Sequence, residues 1–233
     1  MSDNDFTLDR LFRPTKPVTI ADRKLVVRAL SGPEQELRSL YANNQARKVE
    51  KELADTTSDV YQMRIEALKD LSVEELATLS KNMKSVDIQR EVVDKNQPVY
   101  QPYPDEATDE EKRAVDQSRE DAEKARQEKI KADAKTALDE YAATLAGKTL
   151  EELLAIVRPQ MVKSIIQERQ NMSFAYYSVF AQVQDESGKR YFQSAEEASN
   201  MHRDVMFNLF GEAQAVNNVN PLGLASNGLS STA

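Results

Sequence analysis

The chain has 233 residues, 39 acidic against 31 basic side chains, a formal charge of −8, and 40% apolar and 30% charged residues. That length allows one or two domains with a real core, and the acidic balance argues against a general nucleic-acid binder, which needs clustered Lys and Arg. With no cysteine, disulfides and thiolate metal sites are excluded.

The opening "MSDNDFTLDR" is acidic, has no apolar run and does not read as a secretory signal. No later stretch approaches the roughly 20 apolar residues of a membrane span, so the expectation is a cytoplasmic protein without membrane contact. "KPVTIADRKLVVRALS" carries the one good strand signal. Residues 18–20 and 24–29 are rich in Val and Ile around the turn-like Ala21-Asp22-Arg23, which predicts a β-hairpin that must pack on something else.

Helical punctuation follows. Ser31/Glu34, Ser72/Glu75, Thr108/Glu111, Thr149/Glu152 and Ser194/Glu197 each place a hydroxyl three residues before a glutamate at the head of a helical pattern. In a capping box the hydroxyl accepts the N3 amide proton and the glutamate accepts from the cap amide, so donors that the helix leaves over are satisfied. Five such pairs make an all-helical frame, with Pro33 suited to a first helical turn. From residue 34 to about 95 the pattern is helical with a break at "DTTSD". Tyr61, Ile65 and Leu68, then Leu76, Leu79, Met83 and Val86, form core faces of an antiparallel helical unit.

"NQPVYQPYPDE" holds Pro98, Pro102 and Pro104 and predicts an extended connector, with a ligand for a proline-binding domain as the less favoured reading. In residues 105–140, thirteen acidic and eight basic side chains leave almost no apolar stripe. Asp109/Arg113 and Glu120/Lys124 are i,i+4 pairs, and Glu123/Arg126 and Glu128/Lys131 are i,i+3 pairs. Without an a/d heptad, this predicts a solvated single helix or a partly disordered arm rather than a coiled coil.

Beyond Gly147, Leu150, Leu153, Leu154, Val157, Met161, Ile165, Met172, Tyr176, Val179 and Val183 keep a helical period. Pro159 predicts a break or kink. "FAYYSVFA" concentrates four of the fifteen Phe and Tyr residues; its spacing reads as core before it reads as a binding face. The fold class is thus mainly α: a helical bundle with a short N-terminal β-hairpin and a charged helical or disordered arm. The division is a hairpin plus helical region (1–95), a Pro-rich linker (96–107), a charged helical arm (108–147), a C-terminal helical region (148–219) and a flexible tail (220–233).

His202 is the one histidine. Its helical neighbours Ala198, Ser199, Val205 and Met206 cannot ligate zinc, and Asp204 at i+2 lies on another face. No glycine pattern cradles a phosphate. The expectation is a non-enzyme with no catalytic residue, metal or cofactor. Ala198, Met201, Val205, Leu209, Ala213 and Val216 instead form one stripe, widened by Met206 and Phe210, of an amphipathic docking helix. The candidate partner-binding residues are Met206, Phe210, Phe174 and Tyr177.

Three features in order carry a resemblance: "VTIADRKLVVRALSGPEQ" passing from hairpin to helix, a helical middle, and the closing "QDESGKRYFQSAEEASNM…NNVNP". With these the chain resembles the tail assembly chaperones of long-tailed bacteriophages. The resemblance spans about the first 95 and the last 85 residues; the charged arm stands outside it. It implies a small helical protein of the host cytoplasm that binds the tape-measure protein, keeps its apolar helices soluble and helps recruit the tail-tube protein. The family is often made in two forms by ribosomal frameshifting. Nucleic acid and membrane are not expected partners, and homo-oligomerisation stays open. The residues leave three other readings open: a virion structural or scaffolding protein, a cellular helical adaptor, and a hydrolase using His202.

Overall fold

The computed structural model describes residues 14–20, 22–98, 102–103 and 108–218. The expected tail and connector residues 99–101 and 104–107 lie outside these. Strands β1 (Thr15–Ile20) and β2 (Arg23–Arg28) pair antiparallel with Ile20 opposite Arg23, and Asp22 takes a left-handed φ of 63° at the turn. Asp is among the few non-glycine residues that accept this region. A third strand, β3 (Val183–Gln184), adds to the free edge of β2 in the order β1-β2-β3. Period-two alternation turns Leu25 and Val27 toward the core.

Among the described residues, seven helices follow the hairpin: α1 (Gly32–Ala54), α2 (Asp59–Arg64), α3 (Val73–Lys95), α4 (Asp109–Leu145), α5 (Leu150–Gln182), α6 (Ala195–Ser199) and α7 (Arg203–Asn217). A 3-10 turn, Glu66–Asp70, links α2 to α3. The mainly helical class with an N-terminal hairpin is as the sequence reads. Ser72/Glu75 and Thr108/Glu111 form complete capping boxes, and Thr149 and Glu152 exchange the same bonds at the head of α5. At α6, Ser194 Oγ caps the Glu197 amide while the Glu197 carboxylate accepts from the Gln193 amide instead. At α1, Glu34 accepts from the Ser31 amide and hydroxyl at 3.0 and 2.8 Å.

The chain divides into two compact units, Met1–Lys51 with Ile165–Ala233, and Glu52–Ser164. The core of the first joins Leu25 and Val27 of β2, Ala175 and Val179 of α5, and Met206, Leu209 and Ala213 of α7, with Phe192 from the loop before α6. A polar clamp closes one end. Gln182, fully buried, donates to the carbonyls of Arg28 (2.8 Å) and Ala213 (3.1 Å), while Asn217 Oδ1 accepts from the Leu30 amide at 3.0 Å. β2, α5 and α7 therefore end on one satisfied network, the condition for burying amides without penalty. Beside it the Arg28 guanidinium forks onto Glu34 and also donates to the Ala181 carbonyl at 2.9 Å. These bonds hold the Glu34 carboxyl at about 2, with Arg28 the largest cause and burial opposing.

The second unit packs Leu68, Leu76, Leu145, Leu153, Leu154 and Val157 around a triangle of Ser80, Tyr141 and Gln160. The Ser80 hydroxyl, fully buried, lies 2.6 Å from Tyr141 Oη and donates to Gln160 Oε1 at 2.9 Å.

The charged segment is one continuous 37-residue helix, one of the two forms the sequence predicts. Four details are corrected, the first being that this helix carries an inner stripe. Its half-buried positions Ile130, Asp133, Ala134, Ala137, Leu138 and Tyr141 lead to buried Leu145. α4 runs antiparallel to α3, with Tyr141 at Ser80 and Asp133 Oδ2 3.4 Å from Asn96 Nδ2. Small alanines provide much of this stripe, which a search for large apolar residues passes over. Second, of the break or kink expected at Pro159, the break does not occur: α5 runs through it to Gln182. Proline removes one amide donor, and Leu153 and Val157, both fully buried, anchor the turns before it. Third, Val183 belongs to β3 rather than to the helix. Fourth, the closing helix is two helices, parted at Asn200–Met201–His202, so Ala198 and Val205 do not share one helical stripe. Among the ion pairs, Glu123–Arg126 forms at 2.7 Å, whereas Lys124 pairs with Asp121 and Lys112 with Asp109.

Candidate functional site

His202 stands just ahead of α7 and makes no side-chain cap bond. Its imidazole is 75% exposed, and the nearest carboxylate is Asp204 at 3.8 Å, itself 83% exposed. A general base works when an orienting partner and a dry site fix its proton, and neither surrounds this side chain. Among the described residues, no group of three His, Asp or Glu side chains is arranged to hold a metal ion, and no helix is long and apolar enough to cross a membrane.

The four candidate partner-binding residues differ in their burial. Met206 is 1% exposed in the first unit's core, so it offers no surface to a partner. Phe210 meets Phe174 edge to face, 6.4 Å between centroids, and the Arg38 guanidinium covers the other ring at 3.9 Å. Tyr177 belongs to a second chain of rings, 5.5 Å from Tyr41 and 5.5 Å from Phe180. Phe174 and Phe210 are thus brought together and Tyr177 stands apart from them; all three are half-buried.

Exposed apolar side chains occur elsewhere. On α1, Leu37 and Leu40 are 50% and 54% exposed, whereas Ala42, Ala46 and Val49 are buried. The helix inverts the usual preference by putting Ala42 and Ala46 inside and two of its leucines outside. The α1 side chains reach α5 through Arg38 and Tyr41, and Asn43 accepts from Gln170 at 2.7 Å. Four residues beyond Leu40, Asn44 opens a recess of about 540 Å³ with Tyr41, Arg47, Lys48, Lys51 and Glu196 on its walls. Tyr41 donates to Glu196 at 3.0 Å. Burial first, and then this carboxylate, push the tyrosine hydroxyl up to about 12. The Glu196 carboxyl is lowered by its own backbone amide and by Tyr41. The site's leucines were legible only from the 4-3-4 spacing of Ala42, Ala46, Val49 and Leu53, which leaves Leu37 and Leu40 on the other side.

In the second unit, Val86 and Val93, seven residues apart on α3, are 58% and 41% exposed. A groove of about 740 Å³ runs between Asn96–Pro98 and the Ala122–Ala125 face of α4.

Comparison with protein-family models, with curated proteins and with solved structures finds no match in any of the three.

Proposed function

We propose that this chain is a tail assembly chaperone of a long-tailed bacteriophage, a non-enzymatic helical protein of the host cytoplasm that binds the tape-measure protein and helps recruit tail-tube subunits. The observation that carries a protein-binding role is the half-exposed pair Leu37 and Leu40 on the outer side of α1, a regular helix whose inner side is already filled. Leucines so presented offer a partner helix i,i+3 anchors, the way amphipathic helices are recognised. An acidic exterior keeps such a complex in solution. The tape-measure assignment rests on the sequence resemblance alone.

Co-expression tests it. The soluble fraction of a tape-measure fragment should rise when this chain is present, and the two should co-purify. An insoluble fragment with and without the chain sinks the reading. A scaffolding or virion structural role is the second reading, favoured by the exposed Val86 and Val93 at heptad spacing. It requires concentration-dependent self-association by light scattering, without any need for a tape-measure fragment.

A further inference from the structure

We infer that the outer face of α1 is a docking site for one kind of partner, a helix that is apolar in one half and acidic in the other; this rests on the reading that the chain binds a helical protein. Leu37, Leu40, Asn44, Arg47 or Lys48, and Lys51 succeed one another at three- and four-residue steps, so they share one side of the helix. At about 1.5 Å per residue, the stripe is about 21 Å long. Its first half is apolar and open to solvent. Its second half gathers three cations around a recess that holds one carboxylate, Glu196. That carboxylate is already engaged by the Tyr41 hydroxyl. Glu36 and Glu50 sit further round the helix, beside the stripe rather than on it.

The charge pattern selects the occupant. In a chain with a net charge of −8, three exposed basic residues beyond two exposed leucines complement a partner carrying carboxylates one or two turns from its apolar anchors. Within a second copy of this chain, the exposed valines of α3 sit in mixed charge, with Glu91 and Asp94 but also Arg90 and Lys95 beside them, rather than beside a purely acidic cluster. The acidic start of α4, led by Asp109, Glu110 and Glu111, has no exposed leucines with it. A heterologous helix therefore fits the face better than self-association. Steering by the cations would speed encounter, and the leucines would hold the complex.

The test uses the full chain and three designed helical peptides with labelled ends. All carry leucines at i, i+3 and i+7; the following turns hold glutamates, glutamines or lysines. Fluorescence anisotropy should rank them glutamate, glutamine, lysine. The glutamate peptide should bind at least about tenfold tighter than the glutamine one, the product of three exposed ion pairs worth about a factor of two to three each. The Arg47→Glu/Lys48→Glu/Lys51→Glu variant should reverse the ranking, and Leu37→Ser/Leu40→Ser should weaken all three peptides. Since these side chains are exposed, melting curves should stay near the wild type. Equal binding of glutamate and glutamine peptides, no binding of any, or unchanged ranking by the charge-reversed variant overturns the site. So does a wild-type dimer that Leu40→Ser dissolves, because a second copy then occupies the face. Full solubilisation of a tape-measure fragment by the charge-reversed variant overturns the docking site while leaving the chaperone reading standing. Selective peptide binding without any solubilisation does the opposite.

Discussion

Replacing Glu34 by Gln removes the charge at which β2, the head of α1 and the end of α5 meet. The carboxylate accepts from Arg28 Nη1 at 2.8 Å, from the Ser31 amide at 3.0 Å and from its hydroxyl at 2.8 Å, with Arg190 Nη2 at 3.5 Å. The Arg28 and Glu34 side chains are only 11% and 17% exposed, so solvent screens the pair weakly. The carboxyl is lowered from 4.5 to about 2. A drop of about 2.5 at about 1.36 kcal/mol for each unit amounts to about 3 kcal/mol of pH-linked stability. Because the folded value is the depressed one, this stability is present above pH 4.5 and is lost as pH falls toward 2. Glutamine keeps one acceptor but leaves the guanidinium without a countercharge, so the expected cost at neutral pH is about 2–3 kcal/mol. Hydrogen exchange of the β2 amides, followed by mass spectrometry in urea across pH, reads this unit without assuming that both units unfold together. The penalty should shrink below pH 4.5 and be nearly gone at about pH 2. A penalty under about 0.5 kcal/mol at neutral pH, or one that stays constant into acid, would refute the linkage argument.

Gln182→Leu should cost about 1–3 kcal/mol in the same exchange experiment, because the carbonyls of Arg28 and Ala213 lose their donor inside the core. Leu76→Ala, at a fully buried site of the second unit, should lower urea stability by about 2–5 kcal/mol through transfer loss and cavity formation. Met206→Asp should abolish the cooperative melt of the first unit by circular dichroism, since an unpaired carboxylate would replace a thioether that is 1% exposed. His202→Ala should change stability by less than about 0.5 kcal/mol in the same melt. Loss of biological activity with that melt unchanged would count against the non-enzymatic reading.

Much of the architecture is written in local signals. Each of the five Ser/Thr–Glu pairs sits at a helix start, because a cap is a contest among neighbouring backbone groups and needs no distant partner. The hairpin pairs residues only three to thirteen positions apart, from Ile20 with Arg23 to Thr15 with Arg28, so its alternation was readable too. β3 was not: two residues carry no period, and Val183 pairs with Val27 from far along the chain. The same non-locality hid the first unit, which draws on both ends of the sequence. The stripe on α4 escaped because alanines and the stems of charged side chains form much of it. For the candidate surface, periodicity pointed toward α7, where Met206 and Phe210 completed an apolar face; the fold takes Met206 into the core and leaves Phe210 half-buried. Leu37 and Leu40 went unnoticed because a leucine pair reads as interior until its alanine neighbours are seen to occupy the inside.

The central claim is that this protein keeps a tape-measure protein soluble by binding its helices. The most direct measurement is the soluble yield of a tape-measure protein of a long-tailed bacteriophage, co-expressed with the wild-type chain or with no partner, and followed by size-exclusion chromatography with light scattering. The account predicts a several-fold higher soluble yield with the chain present and a co-eluting complex of defined mass. Equal yields under the two conditions, with this chain folded and eluting alone, would contradict it.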